Sequence, residues 1–509
     1  MSEKITIKIY PVKSQLVGEL PRAVVHQLNA ALTIAPTNYF IVKQARQRSN
    51  GKYDGSVKFF SVITQKFPTG LLHYVLDILK KANIQYELTA GQTFNKIKPV
   101  ISTSEIDFRQ DSKCILRPIQ LRVLQQFIKH RSGILWCATN FGKTYTAALL
   151  LSMLDYPKTL FVVHRTNLMS QTKKVFENEL LKRHKIGTIG GGEYKPENIT
   201  VATAQTLWSS IKPFRKINKK KKESKRKYLK AKLQHDIRKM LVKNYLATVE
   251  LLILDECHVA SSDSWYKVAS QCTNAWYRYG MSGTPVTDLL ERNMRLVGMT
   301  GQVIAKVSNE TLISLGYSAR PTVYIVPVSG LSRVGNWKKA YDQHTVGDCK
   351  LSILIEKICS ICRRKSKKVL LYTSWIEQGK YLSGKRMGNS FFIHGDTPQS
   401  KREEILDQFD SGDLDTLIAS RVLYEGADIQ NVNVMVNAAG MKAWWTLLQQ
   451  VGRGLRKKPD GEANVVDIID FYLGDGGGYL ERHSKARLQA YKDEGFEIRV
   501  VRSLKEIGA

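Results

Sequence analysis

Short apolar runs, each followed by a stretch of helical spacing, occur in two series along this chain. That alternation constrains its fold more than any other feature. The first series comprises residues 133–137, 159–163, 200–203 and 249–254; the second comprises 368–372, 390–394, 416–419 and 433–437. Strands joined through helices pair in parallel rather than as hairpins, with helices covering both faces of the sheet. The sequence therefore predicts an α/β protein with two tandem parallel-sheet domains, over residues 106–318 and 319–509, jointed near 316–321. Ahead of them, residues 1–105 mix both patterns: 1–10 alternate like a strand, 58–63 read as another, and 70–82 carry apolar residues at helical spacing. This predicts a small α+β domain.

Charge narrows the partner. Lys and Arg number 78 against 45 Asp and Glu, a formal net charge of +33. An excess on this scale points to a polyanion, most simply nucleic acid. It is densest between residues 212 and 245, where 15 basic residues face 2 acidic ones, a net of +13. Residues 219–227 have the composition of a disordered segment. Residues 227–245 read as a basic amphipathic helix with Leu229, Leu233, Ile237, Met240 and Leu241 on one face. The 7 cysteines, an odd and scattered set, fit a reducing compartment. Cys359 and Cys362 form a lone C-x-x-C in an apolar helix over 351–362, and without a second pair they read as core residues. No apolar run approaches the roughly 20 residues that cross a bilayer. The expectation is a cytoplasmic protein with no membrane partner.

Two motifs carry chemistry. The strand at 133–137 runs into Ala138-Thr139-Asn140-Phe141-Gly142-Lys143-Thr144 and then a helix. Such a loop turns backbone N–H groups toward phosphate. Gly142 lets the backbone approach, Lys143 neutralises β and γ oxygens, and the Thr144 hydroxyl ligates Mg²⁺, with Thr139, Asn140 and Phe141 completing the loop. Cys137 stands where the strict pattern has its first glycine, so the loop alone is a weak signal. The second motif, Asp255-Glu256-Cys257-His258, follows the apolar run at 249–254. Asp255 would hold Mg²⁺ through water, and Glu256 would orient and deprotonate the attacking water. Both motifs are expected at the ends of two neighbouring strands, with ATP and Mg²⁺ as the cofactors.

Together these residues resemble the superfamily 2 helicases with a D-E-x-H box, and further motifs fall in that family's order. By this resemblance, Arg117 and Gln120 in Leu116-Arg117-Pro118-Ile119-Gln120 would read adenine. Val162-Val163-His164-Arg165, and Thr203-Ala204-Gln205-Thr206-Leu207, would touch the nucleic-acid backbone, with Arg165, Thr203 and Gln205 as contacts. Ser282-Gly283-Thr284 would link hydrolysis to strand movement, through His258. By the same resemblance, Thr373 and Ser374, and His394 in His394-Gly395-Asp396 with Arg402, would be the corresponding DNA contacts of the second domain. The run from Ser420 to Glu425-Gly426-Ala427-Asp428 brings Gly426 and Asp428 to the nucleotide. Gln449-Gln450-Val451-Gly452-Arg453-Gly454-Leu455-Arg456 would send Arg453 and Arg456 to the γ-phosphate.

Outside the motor, Gly51-Lys52-Tyr53-Asp54-Gly55 and Pro68-Thr69-Gly70-Leu71 resemble the N-terminal domain of the phage UvsW-like recombination helicases, with Lys52 as a DNA contact. Glu481-Arg482-His483-Ser484-Lys485 through Arg487 and Tyr491 fits the same group, whereas the basic 212–245 insertion departs from that family's short loop. The resemblance implies two RecA-like domains with ATP between them. It implies an ATP-dependent DNA helicase that branch-migrates junctions and forks in recombination, repair or replication restart, in a bacterial host's cytoplasm if phage-encoded. Its DNA contacts would be largely sequence-independent. The motor motifs leave an ATP-dependent RNA helicase open. A binding protein with a dead ATPase is disfavoured, because Lys143, Asp255, Glu256 and Arg456 are all present.

Overall fold

The computed structural model describes residues 4–35, 56–91, 117–138, 141–177, 184–214, 225–285, 290–318, 321–347, 349–384, 387–420, 429, 432–440 and 467–507. The chain divides into two compact units, Met1–Trp136 with Lys143–Lys306, and Cys137–Gly142 with Val307–Ala509.

The first unit begins with a four-stranded sheet in the order Lys66–Pro68, Lys13–Val17, Ile5–Ile9, Tyr86–Ala90. Helices Arg22–Ala31 and Leu72–Lys81 bury Val24, Leu28, Val75 and Leu79 in the core beneath it. The helix expected over 70–82 is therefore Leu72–Lys81, preceded by a 3-10 turn at Thr69–Leu71. The strand expected over 58–63 is a misreading. Only Val57–Lys58 is a strand there, paired with Thr33–Ile34. Phe59 and Phe60 then drop into the core and residues 62–65 turn in solvent. An apolar run mimics a strand by composition, but here its side chains are divided between a core and a tip.

This domain is seated on the next. Phe67 and Leu71 share a core cluster with Met294, on helix Leu290–Thr300. The close approach is made by Gly70, where a Cβ would lie 1.9 Å from the Val297 carbonyl oxygen and 2.8 Å from the Gly301 nitrogen.

The larger sheet of this unit runs Glu193–Lys195, Ile186–Gly190, Ile199–Thr203, Thr159–Val163, Leu251–Asp255, Tyr277–Ser282, Ser132–Cys137, Val303–Val307. From Ile186–Gly190 to Ser132–Cys137 every pairing is parallel. Its central strands are apolar on both faces, as a sheet covered on both sides requires. Strand Tyr277–Ser282 is not legible as an apolar run because it carries Arg278, which is buried. Its guanidinium donates to the carbonyls of Ala269, Cys272 and Met299, two of them in the last turns of helices Asp263–Ala269 and Leu290–Thr300. Those carbonyls carry the negative end of each helix dipole and offset the buried charge.

The insertion forms a helix over Lys225–Thr248, longer than expected, and Lys225–Lys227 belong to it. Residues 215–224 lie outside the described ones. Its Val242, Tyr245 and Leu246 are buried in the core that also holds Leu207 and Ile211 of helix Ala204–Ile211. The face formed by Leu229, Leu233, Ile237, Met240 and Leu241 is exposed.

The second unit holds a wholly parallel seven-stranded sheet in the order Ser390–Ile393, Thr416–Ala419, Val369–Tyr372, Val434–Asn437, Asp467–Leu473, Thr322–Val328, Glu497–Val500. Cys359 and Cys362 lie in its core on helix Lys350–Arg364, and burial pushes both thiols up. Beside strand Asp467–Leu473, the buried Arg487 pairs with Asp470 at 2.9 Å, and the Tyr491 hydroxyl donates to the same carboxylate. Among the described residues no helix is long and apolar enough to cross a membrane.

The contact at Gly70 yields a prediction. Gly70→Ala forces backbone against backbone, an overpacking that costs about 1–3 kcal/mol. The variant should unfold at lower urea concentration than the native chain and be clipped faster by protease within residues 1–91. An unchanged midpoint would show that this seat contributes nothing.

Candidate functional site

The residues singled out in the first unit gather where parallel strands end, which is where open α/β sheets bind ligands. Helix Lys143–Met153 follows strand Ser132–Cys137. Seven of its residues are buried, so the helix is held by its sides and its first turn is fixed in place. Gly142, just before it, has φ +88°, a backbone shape that favours glycine. Thr139 and Asn140 lie outside the described residues.

Asp255 is the last residue of strand Leu251–Asp255, and the chain turns sharply after it: Glu256 has φ +48°. A non-glycine residue in that region is strained by about 1–3 kcal/mol and is held there by its surroundings. The holding contacts are visible. The Glu256 N–H donates to Asp255 Oδ1 at 3.0 Å, and its carboxylate accepts from Lys143 Nζ at 2.6 Å. His258 Nδ1 lies 3.4 Å from Glu256 Oε2. Ser282 Oγ is 3.5 Å from that oxygen and 3.0 Å from His258 Nδ1, and it accepts from the Thr284 N–H at 3.1 Å.

The two strands that carry Lys143 and Asp255 were expected to be neighbours. The structure inserts strand Tyr277–Ser282 between them. That strand ends in Ser282, which is how the Ser282-Gly283-Thr284 motif reaches Glu256.

The two carboxylates are driven apart. Burial, and then the Glu256 charge, push Asp255 up to about 6, with Lys143 pulling the other way. Burial acts on Glu256 in the same sense, but Lys143 and His258 outweigh it and hold Glu256 well below the usual carboxylate range. Glu256 is thus an ionised carboxylate beside a cation. Asp255 is a partly buried carboxylate that holds its proton more tightly than usual.

This set fits a nucleoside triphosphate with Mg²⁺. An ammonium and a glycine turn sit at a helix N-terminus, the place for phosphate. A partly exposed Thr144 hydroxyl and the Asp255 carboxylate are the hard oxygen donors that Mg²⁺ takes. On helix Pro118–Lys129, which packs on helix Lys143–Met153, Gln120 is buried and its Oε1 accepts the Arg117 N–H at 3.0 Å. Its carbonyl thus caps its own helix.

The nucleic-acid candidates occupy strand ends too. Arg165 is exposed after strand Thr159–Val163, and Gln205 is exposed after Ile199–Thr203. Thr203 is buried and its hydroxyl donates to Thr206 at 2.8 Å. In the second unit Thr373 is buried, with its hydroxyl on Gln378 and on the Trp375 carbonyl at 3.2 Å, while Ser374 is partly exposed. His394 is half-buried at the end of strand Ser390–Ile393, in a loop where Arg402 donates to the Gly395 carbonyl at 2.9 Å. The hydroxyls of Thr203 and Thr373 are therefore both bonded inside the fold. Lys52, Gly426, Asp428, Arg453 and Arg456 lie outside the described residues. Sequence reasoning missed the direct Lys143–Glu256 pair, because the two motifs are far apart in the chain and no local spacing reports the contact.

Residues 113–287 match the family model described as type III restriction enzyme, res subunit, and residues 349–458 match the helicase conserved C-terminal domain. The chain is 25% identical over 365 residues to a Haloarcula marismortui protein named as a Rad25 DNA 3'-5' helicase, covering 70% of this chain and 52% of that one. It thus spans about half the length of that curated relative. It is 23% identical over 410 residues to the ATP-dependent DNA helicase uvsW of Enterobacteria phage T4, covering 72% of this chain and 73% of that one. Among solved structures, the ATP-dependent Type ISP restriction-modification enzyme LlaBIII bound to DNA shares the fold at TM-score 0.54 and 13% identity, over 84% of this chain and 34% of that one.

The opposed carboxylates make a testable statement about pH. Asp255 is raised from 3.8 to about 6 in the fold, so the folded state holds its proton more tightly than the unfolded chain does. Stability therefore falls as pH rises through that window, by at most about 3 kcal/mol once it is passed. With divalent ions chelated, Asp255→Asn should melt above the native chain at pH 8, and the gap should shrink as pH falls from 6 toward 4. A variant less stable than native at pH 8 would contradict a raised Asp255 carboxyl.

Proposed function

Since this chain belongs to the superfamily 2 helicases, we propose that it is an ATP-driven DNA translocase that unwinds and branch-migrates branched DNA. The observation that carries the reading is the Lys143–Glu256 pair at 2.6 Å, with Asp255 beside it and Ser282 behind it. A structural ion pair has no need of a second, charge-raising carboxylate. A hydrolytic site does: one carboxylate is kept ionised as a base, and the other is kept ready for a metal.

Each residue then has a role. Lys143, released from Glu256, binds the β and γ oxygens. Thr144 and Asp255 hold Mg²⁺, which when bound draws charge from the phosphate oxygens. Glu256 orients the attacking water and takes its proton. His258 and Ser282 hold the Glu256 carboxylate, so a shift of the segment after Ser282 is felt at the base. Arg453 and Arg456 add positive charge as the phosphoryl group leaves, and Arg117 with Gln120 selects the base. Gly426 and Asp428 contribute to binding the nucleotide. Arg165, Thr203, Gln205, Thr373, Ser374 and His394 track one strand. Such contacts go to phosphates and are sequence-tolerant.

DNA as the track is supported by the net charge of +33 and by relatives named as DNA helicases. Branched DNA as the substrate is supported by the resemblance of residues 51–55 and 68–71 to the N-terminal domain of the phage recombination helicases, with Lys43, Arg46, Arg48 and Lys52 as basic residues there.

ATPase measured with single-stranded DNA, forked DNA and RNA as separate stimulants tests this. DNA should stimulate more than RNA, and forks should be unwound. Glu256→Gln should keep nucleotide affinity and lose turnover by about 10²–10⁴, the range for a general base. Turnover near the native rate would remove Glu256 from that role, and stimulation by RNA alone would make the chain an RNA helicase.

A further inference from the structure

The turn after Phe60 opens on Ser61, whose Oγ accepts the Thr64 N–H, but its tip carries apolar residues where turns usually carry polar ones. Residues 62–65 are Val62, Ile63, Thr64 and Gln65, with no Gly, Pro, Asn or Asp among them. Gln65 has φ +51°, the left-handed region. Val62 is 49% exposed and Ile63 is 95% exposed. Single exposed apolar residues are ordinary, but two adjacent β-branched ones on a strained tip gain nothing for the fold. A local rule broken without a folding benefit marks a functional position.

The tip is also rigid. Phe59, Phe60 and Phe67 at its base are buried in the N-terminal core. The Ser61 N–H donates to the Lys66 carbonyl at 2.9 Å, and the Thr64 N–H and hydroxyl reach Ser61 Oγ at 3.3 and 2.8 Å. From the adjoining strand Lys13–Val17, Gln15 Nε2 donates to the Thr64 carbonyl at 3.1 Å, and the Leu16 N–H to the Gln65 carbonyl at 3.0 Å. Beyond Lys66 the chain passes directly to Gly70 and its seat on helix Leu290–Thr300. The tip is therefore fixed to the first α/β domain and moves with it.

Three exposed ammonium groups belong to the same region. Lys66 begins the strand after the tip, Lys13 lies on the strand paired with it, and Lys58 precedes the buried phenylalanines. An apolar point with cations beside it fits a ligand with flat apolar faces on an anionic backbone, which is a nucleic-acid base step. Proteins that open or kink duplexes insert Ile, Leu, Phe or Met between bases in this manner.

We infer that Val62 and Ile63 form a wedge that packs against the exposed base pair at a DNA branch, with Lys13, Lys58 and Lys66 on the neighbouring phosphates. This rests on the translocase reading above: DNA drawn along the motor meets a tip that is held still against it. The wedge supplies strand separation, which backbone-tracking contacts do not.

The test uses the full chain with Val62→Ser/Ile63→Ser and with the apolar control Ile63→Leu. Single-stranded-DNA-stimulated ATPase should stay within about twofold of native in both. Fork unwinding per ATP should fall about tenfold or more in the serine variant and survive in the leucine one, since lost stacking against a base step is worth at least one decade. A 2-aminopurine placed at the branch should change fluorescence on binding native protein and not on binding the serine variant. Serine variants that unwind forks at the native rate with the native 2-aminopurine response would overturn the wedge and leave the translocase standing. A native chain without DNA-stimulated ATPase would instead sink the translocase reading. Sedimentation with vesicles of phosphatidylserine and phosphatidylcholine, lost in the serine variant and accompanied by no 2-aminopurine response, would also overturn the wedge and assign the tip to a lipid surface.

Discussion

The ion pair between Lys143 and Glu256 is the interaction on which the chemistry proposed for the first unit depends. At 2.6 Å, between side chains 15% and 22% exposed, neither charge is well solvated, and the Lys143 charge is the largest influence holding Glu256 ionised. Removing one partner of such a pair strands the other, which is why pairs of this kind fix geometry more than they add stability. Here the geometry fixed is useful. The cation at a helix N-terminus lies within one hydrogen bond of the carboxylate that can serve as a base, and Asp255 is the next residue along.

A parallel sheet is what allows this. Each strand ends on the same edge as its neighbours, so side chains from residues 143, 255, 256 and 282 converge though they are distant in sequence. The order of strands decides who meets whom. With Tyr277–Ser282 between the other two, Ser282 is delivered to Glu256 and His258, and the loop that begins with Gly283 leaves directly from the base's support. A sheet in which the outer two were adjacent would leave Glu256 without that link.

Much of this was legible where a single physical signal dominated. Runs such as Thr159–Val163 and Thr416–Ala419 are apolar throughout because both faces of the sheet are covered, and their bounds were read to the residue. Strands that carry a buried charge were not read. Tyr277–Ser282 holds Arg278, and Asp467–Leu473 holds Asp470, whose partner Arg487 comes from a helix further along the chain. A charge inside an apolar segment reads as a break until its partner is known, and the partner is a tertiary fact. The opposite error occurred at 58–63, where apolar residues suggested a strand and the chain makes a turn that shows Val62 and Ile63 to solvent. The motifs singled out the residues proposed for catalysis because their spacing reflects local strand–loop–helix geometry. The Lys143–Glu256 contact, made across 113 positions, left no such trace.

The most direct test of the account is a structure of the full chain with a non-hydrolysable ATP analogue, Mg²⁺ and forked DNA. The account predicts that Lys143 Nζ leaves Glu256 for the β and γ oxygens, that Thr144 and Asp255 lie on the Mg²⁺, and that Glu256 Oε1 faces a water in line with the γ-phosphate. A bound nucleotide elsewhere, with Lys143 and Glu256 still 2.6 Å apart, would contradict it.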